Sequence, residues 1–354
     1  EATWSDIRYG DKDMVTGQVC LPPVSKPVFT PGGLAGMRVA VLMWGISSER
    51  EVSLSSGRAV VTALERAGCM VVPVVVNDEE VRELDGLDVD VAFIAMHGYF
   101  GEDGGIQRLL ESRGIPYTGS GVHPSMVAMD KVETKWVFIM SGLPTPEFMM
   151  LRLGQPLQEL EGFIVEKLPM PLVAKPSRSG SSVGVSIIHD VSEISRALET
   201  AFQHDQKIII ERYIRGRELT VGILDDAALP VIEIRPAREF YDLSAKYEDK
   251  GTCYITAPDI PRDVYGEAQR LALRAHHKIG CSGFSRVDMM LSEDMELFLL
   301  EVNTIPGFTE RSLLPKAAEA AGIGFQELCR RIILLAQKES GGVKKNENPS
   351  FVGV

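Results

Sequence analysis

The sequence predicts an α/β protein of three domains, the first built on a parallel sheet. Three observations lead there. At 354 residues the chain is long enough for two or three domains of roughly 100–200 residues each. From Met37 to about residue 130, short apolar runs alternate with helical patterns, the rhythm of βαβ units. Beyond Met129 strands crowd together, with fewer helices between them.

The elements follow in order. Met37 opens the apolar run Arg38-Val39-Ala40-Val41-Leu42-Met43, which suits a strand buried on both faces. A helix over 55–67, strands over 70–76 and 89–96, and a helix over 105–113 that stops at Gly114 complete the first domain. A helix over 131–140 then leads to strands at 171–175, 184–188 and 207–213. Strands at 219–224 and 229–234, a helix over 263–279, two antiparallel strands and a helix over 325–338 follow. The expected domains are 37–130, 131–218 and 219–340, with a polar tail at 341–354. Residues 1–36 end in Pro22, Pro23, Pro27, Pro31, Gly32, Gly33 and Gly36, which reads as a linker or added segment. The chain opens on Glu1 rather than Met, as a processed product or fragment would.

Composition narrows the function. With 37 Lys+Arg against 49 Asp+Glu the net charge is −12, which disfavours nonspecific binding to nucleic acid or anionic membranes. No apolar run reaches the ~20 residues of a membrane span. The five cysteines are scattered without a CxxC pair, which argues for a reducing compartment and against a zinc site or disulfide framework.

Four segments have the residues for chemistry. In the first, a hairpin turning at Asp294–Met295 would set Asp288 opposite Glu301 and Arg286 opposite Asn303, all four on one face. Two acids and an amide oxygen suit Mg²⁺ with substrate phosphates, and a salt-bridged surface hairpin fits as well. In the second, Lys175 ends an apolar strand and precedes the Ser/Gly stretch 176–184, a phosphate cradle or a surface turn, and not a Walker P-loop. In the third, Glu211 and Glu218 flank a turn at the end of a buried strand, where they could meet an adenine amino group and ribose hydroxyls or simply water. The fourth comprises Ser47 to Ser53 and His97 to Gly104, both at the carboxyl ends of expected parallel strands, where ligands of open α/β sheets bind. There His97 reads as ligand-facing or structural, and Glu49 and Glu51 as site acids or as acids favoured by a helix dipole.

Taken in order, these segments closely resemble D-alanine–D-alanine ligases of the ATP-grasp superfamily. The resemblance runs from about Met37 to Ala336. Its signatures are Ser47-Ser48-Glu49-Arg50-Glu51-Val52-Ser53-Leu54, His97-Gly98 with Gly101-Glu102-Asp103-Gly104, Met129-Asp130-Lys131, and 175–184. Ala245-Lys246-Tyr247, Ser285-Arg286-Val287-Asp288, Glu301-Val302-Asn303-Thr304, Pro306-Gly307 and Ser312-Leu313 continue it.

The resemblance implies a three-domain ATP-grasp fold and the joining of two D-alanines with ATP, by way of an acyl phosphate, for peptidoglycan precursors. It implies phosphate-binding Lys131 and Lys175, adenine- and ribose-side Glu211 and Glu218, and Asp288, Glu301 and Asn303 as ligands of two Mg²⁺ ions, with Mn²⁺ as an alternative. Lys246 and Asn303 also count among the nucleotide contacts. Glu49 would hold the first D-alanine's ammonium, with Ser181 and Tyr247 hydrogen-bonded to Glu49. His97 belongs to the substrate site, and Ser312, Leu313 and Lys246 would cradle the second carboxylate. Arg286 and the Gly180 N–H would stabilise the tetrahedral intermediate, under lids at 177–183 and 240–251. A cytoplasmic homodimer is implied, with D-alanine and ATP as its small-molecule partners.

Two positions depart from the family pattern: Trp44 stands where Gly is usual, crowding a turn, and Ser179 stands where Glu is common, within a lid. Two other functions compete. A D-alanine–D-lactate or D-serine ligase is opposed by Tyr247, because the lactate-forming relatives have a different lid there. A non-catalytic ATP-binding module is opposed by retention of Arg286 and the metal-ligand set.

Overall fold

The computed structural model describes residues 33–44, 49–235 and 252–341. Strand β1 (Arg38–Trp44) lies between β2 (Met70–Val76) and β3 (Val91–Ala95), all parallel, with Leu42 opposite both Val74 and Ile94. Side-chain alternation sends Val39, Val41 and Met43 to one core and Ala40 and Leu42 to another. The first core packs on α1 (Arg50–Arg66) and the C-terminal helix, the second on α2 (Gly105–Ser112). Leu34 is also buried in the first core, three residues before the expected start of the domain.

Helix α1 begins five residues earlier than expected. Its inward face is Ser53, Ser56, Val60, Ala63 and Leu64, so two buried serines stand where the helical pattern calls for apolar residues. They are tolerated because both hydrogen-bond His97.

After α3 (Val122–Met129) and α4 (Lys131–Met140) comes an antiparallel sheet of β4 (Phe148–Arg152), β5 (Leu172–Pro176), β6 (Ser186–Ile188) and β7 (Lys207–Arg212). Its order is β4-β7-β5-β6, and α5 (Leu157–Lys167) and α6 (Ile194–Phe202) share its core through Ile164, Ile194 and Leu198. A second antiparallel sheet holds β8 (Gly216–Leu224), β9 (Ala227–Arg235), β10 (Cys253–Ile255), β11 (Phe284–Ser292) and β12 (Leu297–Asn303), in the order β10-β9-β8-β11-β12. Helix α7 (Arg262–Ile279) packs on it, and α8 (Leu313–Ala320) and α9 (Phe325–Gly341) close the chain. Among the described residues no helix is long and apolar enough to cross a membrane.

The β11–β12 hairpin corrects one expectation. Ser292 N–H bonds Glu296 O across the turn, with Met295 left-handed at φ 63°, so the turn closes one residue off the expected register. Near the turn Met290 faces Phe298 and Met289 faces Leu299, yet the next pair is Asp288 with Glu301. Leu300 is therefore the extra residue of a β-bulge. The burial pattern shows what it does. Leu297 and Leu299 face the core before the bulge, and Val302 faces it afterwards. The bulge thus turns Glu301 and Asn303 to the same face as Asp288 and Arg286.

Gly216 starts β8 at φ 152°, and a Cβ there would lie 1.9 Å from the Leu291 carbonyl oxygen. Gly216→Ala should lower stability by roughly 2–4 kcal/mol. Gly266→Ala, in the body of α7 with nothing within 4 Å of the new atom, should raise it by about 0.5–1 kcal/mol. Thermal melting of the two variants checks the contrast.

Candidate active site

A cleft of about 550 Å³ is lined from both antiparallel sheets, by Lys131, Lys175, Glu211, Glu218, Asp288 and Glu301 among others. Helix α4 supplies Lys131 to the cleft and β5 supplies Lys175. Lys131 and Lys135, four residues apart, lie on the same side of the helix. The Lys131 ammonium sits 3.1 Å from Glu301 and donates to the Ser179 carbonyl at 2.9 Å. That second contact uses the backbone, so it does not depend on the Ser179 side chain. Lys135 is fully buried, 2.7 Å from one Glu211 oxygen, while Lys175 bonds the other. Burial alone would raise the Glu211 carboxyl, but the two ammonium groups outweigh it and hold it below the usual carboxylate range. Burial brings the Lys135 ammonium down to about 8, and Glu211 limits the fall.

Asp130 joins this helix to the Ser/Gly loop. Its carboxylate caps α4 through the Val132 and Glu133 N–H groups and accepts from the Ser177 hydroxyl at 2.6 Å, from Arg178 Nε at 2.9 Å and from Lys207. Lys131 N–H bonds Ser177 O, and Ser177 N–H bonds Lys207 O, at 2.9 Å each. The root of the loop is pinned from both sides. At its tip Ser181 and Ser182 are left-handed, at φ 52° and 58°. The Ser181 hydroxyl donates to Glu49, and a Cβ on Gly180 would stand 3.2 Å from the same carboxylate.

A second cleft of about 430 Å³ shares Ser181 and Glu301 with the first. Glu49, His97, Arg286, Asn303, Ser312 and Leu313 contribute to its wall. His97 is buried, with Nδ1 3.1 Å from Ile305 O and Nε2 3.0 Å from the Ser56 hydroxyl, which accepts from Phe308 N–H. Burial pushes its pKa down, against the nearby Glu49. Burial and the proximity of Glu49 raise Glu102, on the same wall, to about 8. The Arg286 guanidinium grips both Asp288 oxygens at 2.9 and 2.6 Å, and Thr220 and Asn303 complete that carboxylate's shell at 2.6 and 3.1 Å. Ser312 stands at the N-cap position of α8, and its hydroxyl accepts from Thr309 N–H at 3.1 Å rather than from the helix.

The family profile described as "D-ala D-ala ligase C-terminus" matches residues 137–334, and "D-ala D-ala ligase N-terminus" matches 77–120. The D-alanine–D-alanine ligase of Syntrophotalea carbinolica is 48% identical over 297 residues, spanning 84% of this chain and 95% of that one. The chain belongs to the D-alanine–D-alanine ligase family. A solved D-alanine–D-alanine ligase from Bacillus anthracis superposes with a TM-score of 0.78 at 39% identity, over 86% of this chain and 99% of that one. A Bacillus anthracis ligase complexed with ATP gives 0.77 at 36% identity, with the same coverage. A D-Ala:D-Ser ligase from Enterococcus faecalis gives 0.76 at 28% identity, over 85% and 99%. The fold is the ATP-grasp architecture of these ligases.

Of the site residues drawn from the ligase resemblance, Lys131, Lys175, Glu211, Glu218, Ser181, Asp288 and Glu301 line the first cleft. Glu49, His97, Gly180, Ser181, Arg286, Glu301, Asn303, Ser312 and Leu313 line the second. Lys246 and Tyr247, with the whole 240–251 lid, lie outside the described residues. Sequence reasoning assigned nothing to Lys135 or Asp130. The four-residue spacing of Lys131 and Lys135 on a helix was the available signal for the first. An Asp directly ahead of a helix was the signal for the second.

Asp130 generates a pH prediction. Burial would raise its carboxyl, but bonds from Lys207, Ser177 and Arg178 bring it down to about 2. Because the folded value lies below the unfolded ~3.9, the stabilisation is complete above about pH 4 and is lost as pH falls through about 2. It is on the order of 2 kcal/mol. Asp130→Asn should therefore be less stable than the native chain at pH 7, with the gap narrowing between pH 4 and 2. Denaturant midpoints across that range check it.

Proposed function

We infer that this chain joins two D-alanines into D-alanyl-D-alanine, with ATP converted to ADP and phosphate, supplying peptidoglycan precursors. Family membership supports the reaction, and the observation that carries the site reading is that the two clefts meet at Ser181 and Glu301. A nucleotide in the first cleft would place its terminal phosphate where an amino acid in the second can reach it.

In this reading Glu211 and Glu218 meet the adenine and ribose, and Lys131 and Lys175 meet phosphate oxygens. Glu49 holds the ammonium of the first D-alanine with Ser181 and Tyr247, and His97 buttresses that wall. The first carboxylate attacks the γ-phosphorus; the bond to the bridging oxygen breaks and ADP leaves. The second amine, having lost a proton, attacks the acyl carbon, and inorganic phosphate leaves with the electron pair. Arg286 and the Gly180 N–H face the developing oxyanion. Ser312, Leu313 and Lys246 hold the second carboxylate. Closure of the Ser/Gly loop over Glu49 keeps water from the acyl phosphate.

Among the described residues no three His, Cys, Asp or Glu side chains form a metal-binding group. The magnesium reading rests on Asp288, Glu301 and the amide of Asn303. These hard oxygen donors share one sheet face, and their charges are neutralised here by Arg286 and Lys131, cations that phosphates can draw away. Two Mg²⁺ ions held there, or Mn²⁺ in their place, would neutralise phosphate charge and polarise the transferred group. The same reading places domains at 37–130, 131–218 and 219–340 and has the enzyme act as a homodimer in the cytoplasm.

Incubated with ATP, Mg²⁺ and D-alanine, the chain should yield D-alanyl-D-alanine, identified by mass, with ADP in equal amount. Glu301→Gln should lower kcat by 10²-fold or more, comparable to losing one transition-state charge contact, with its circular dichroism unchanged. Absence of the dipeptide, or an unimpaired variant, would contradict the assignment.

A further inference from the structure

Buried Lys135 has a role that neither its charge nor its pairing with Glu211 explains in full. It also donates to the Thr145 hydroxyl at 2.6 Å, and Thr145 donates onward to the Leu299 carbonyl at 2.8 Å. Leu299 N–H in turn bonds Pro144 O at 2.8 Å. Leu299 is fully buried on β12, the edge strand, directly before the bulge residue Leu300. Its outward backbone groups cannot reach solvent and must be paired within the protein. The 144–145 segment supplies both partners, acting as a one-residue extension of the sheet at the bulge.

A threonine hydroxyl has one proton to give, and here it goes to Leu299 O, so its lone pairs are left to accept from Lys135. The resulting chain runs Glu211, Lys135, Thr145, Leu299, and through the bulge to Glu301. It closes on itself, because Glu301 pairs with Lys131 one turn from Lys135 on α4. We propose that Lys135 and Thr145 are positioning residues which lock the Leu300 bulge, and with it Glu301, to the adenine-side acid Glu211. Occupancy of the adenine end and of the metal end is thereby coupled through α4 and the 144–145 segment. This rests on the reading of Glu211 and Glu301 given above.

The test is ADP binding by calorimetry, with and without Mg²⁺, so that no turnover is needed. Thr145→Val keeps the side-chain shape and the Lys135–Glu211 pair but removes the relay. Its ADP affinity without Mg²⁺ should stay within about twofold of the native chain, while the tightening that Mg²⁺ confers should shrink at least about fivefold. Thr145→Ser, which keeps the hydroxyl, should restore that tightening. Lys135→Met should weaken ADP binding both with and without Mg²⁺. Melting temperatures of the Thr145 variants within a few degrees of native would exclude a general loss of packing. Native Mg²⁺ tightening in Thr145→Val, or a Thr145→Ser as impaired as Thr145→Val, would overturn the relay alone. A native chain whose ADP binding ignores Mg²⁺ would overturn the metal reading beneath it as well.

Discussion

A β-strand offers side chains to one face only at every second position, so two acids from neighbouring strands share a cleft only if the strands count correctly against each other. In this chain that count depends on one residue. Without Leu300 as a bulge, the register set by the turn would bring Leu300 and Val302 to the cleft face and bury Glu301 and Asn303 toward α7. A carboxylate in that core would be costly, and Asp288 would stand alone. The bulge therefore converts an ordinary hairpin into a four-residue polar face. The clefts meet at that face, and Lys131, Arg286 and Thr220 all bond to its acids.

The second organising feature is that these charges hold one another. Lys131 pairs with Glu301, Arg286 with Asp288, and Lys135 and Lys175 with Glu211, nearly all at low exposure. Buried ions are expensive to leave unpaired, and removing one partner of such a pair typically costs about 3–5 kcal/mol. The site thus folds as a set of mutual neutralisations. In the proposed function, a phosphate-bearing ligand accompanied by cations would enter by exchange: its oxygens would replace the acids around the lysines and arginine, and its cations would replace the lysines and arginine around the acids. Lys135 is outside this exchange because it has no exposure and is held by Thr145 as well as Glu211.

Much of the scaffold was legible because it obeys simple periodicities. The run at β1 is apolar from Val39 onward, as a strand covered on both faces requires, and β2 is apolar throughout although, as an edge strand, it leaves Met70 and Val75 exposed. The α4 limits follow from Asp130 ahead of it and Ser141-Gly142 behind. The start of α1 was hidden because Ser53 and Ser56 occupy inward positions, a choice that makes sense only once His97 is known to lie beside them. Strands β4 and β10 and helices α3, α5, α6 and α8 escaped notice, their patterns being short or mixed. The pairing of Asp288 with Glu301 was anticipated, yet from a turn placed one residue off. A bulge leaves no local signature in Leu299-Leu300, and only the burial switch from Leu299 to Val302 reveals it. Asp130 and Lys135 carry no mark in the sequence of how many partners each collects, since Lys207 and Glu211 come from a strand far along the chain.

The central claim is that the bulged hairpin face is where metal and nucleotide meet. Crystals grown with ADP and Mn²⁺ offer the most direct test, because anomalous scattering locates the ion independently of the protein coordinates. The account predicts an anomalous peak within coordination distance of Asp288, Glu301 and Asn303, with Lys131 released from Glu301 toward phosphate. A peak elsewhere, or nucleotide bound with Lys131–Glu301 and Arg286–Asp288 still paired and no ion at that face, would contradict it.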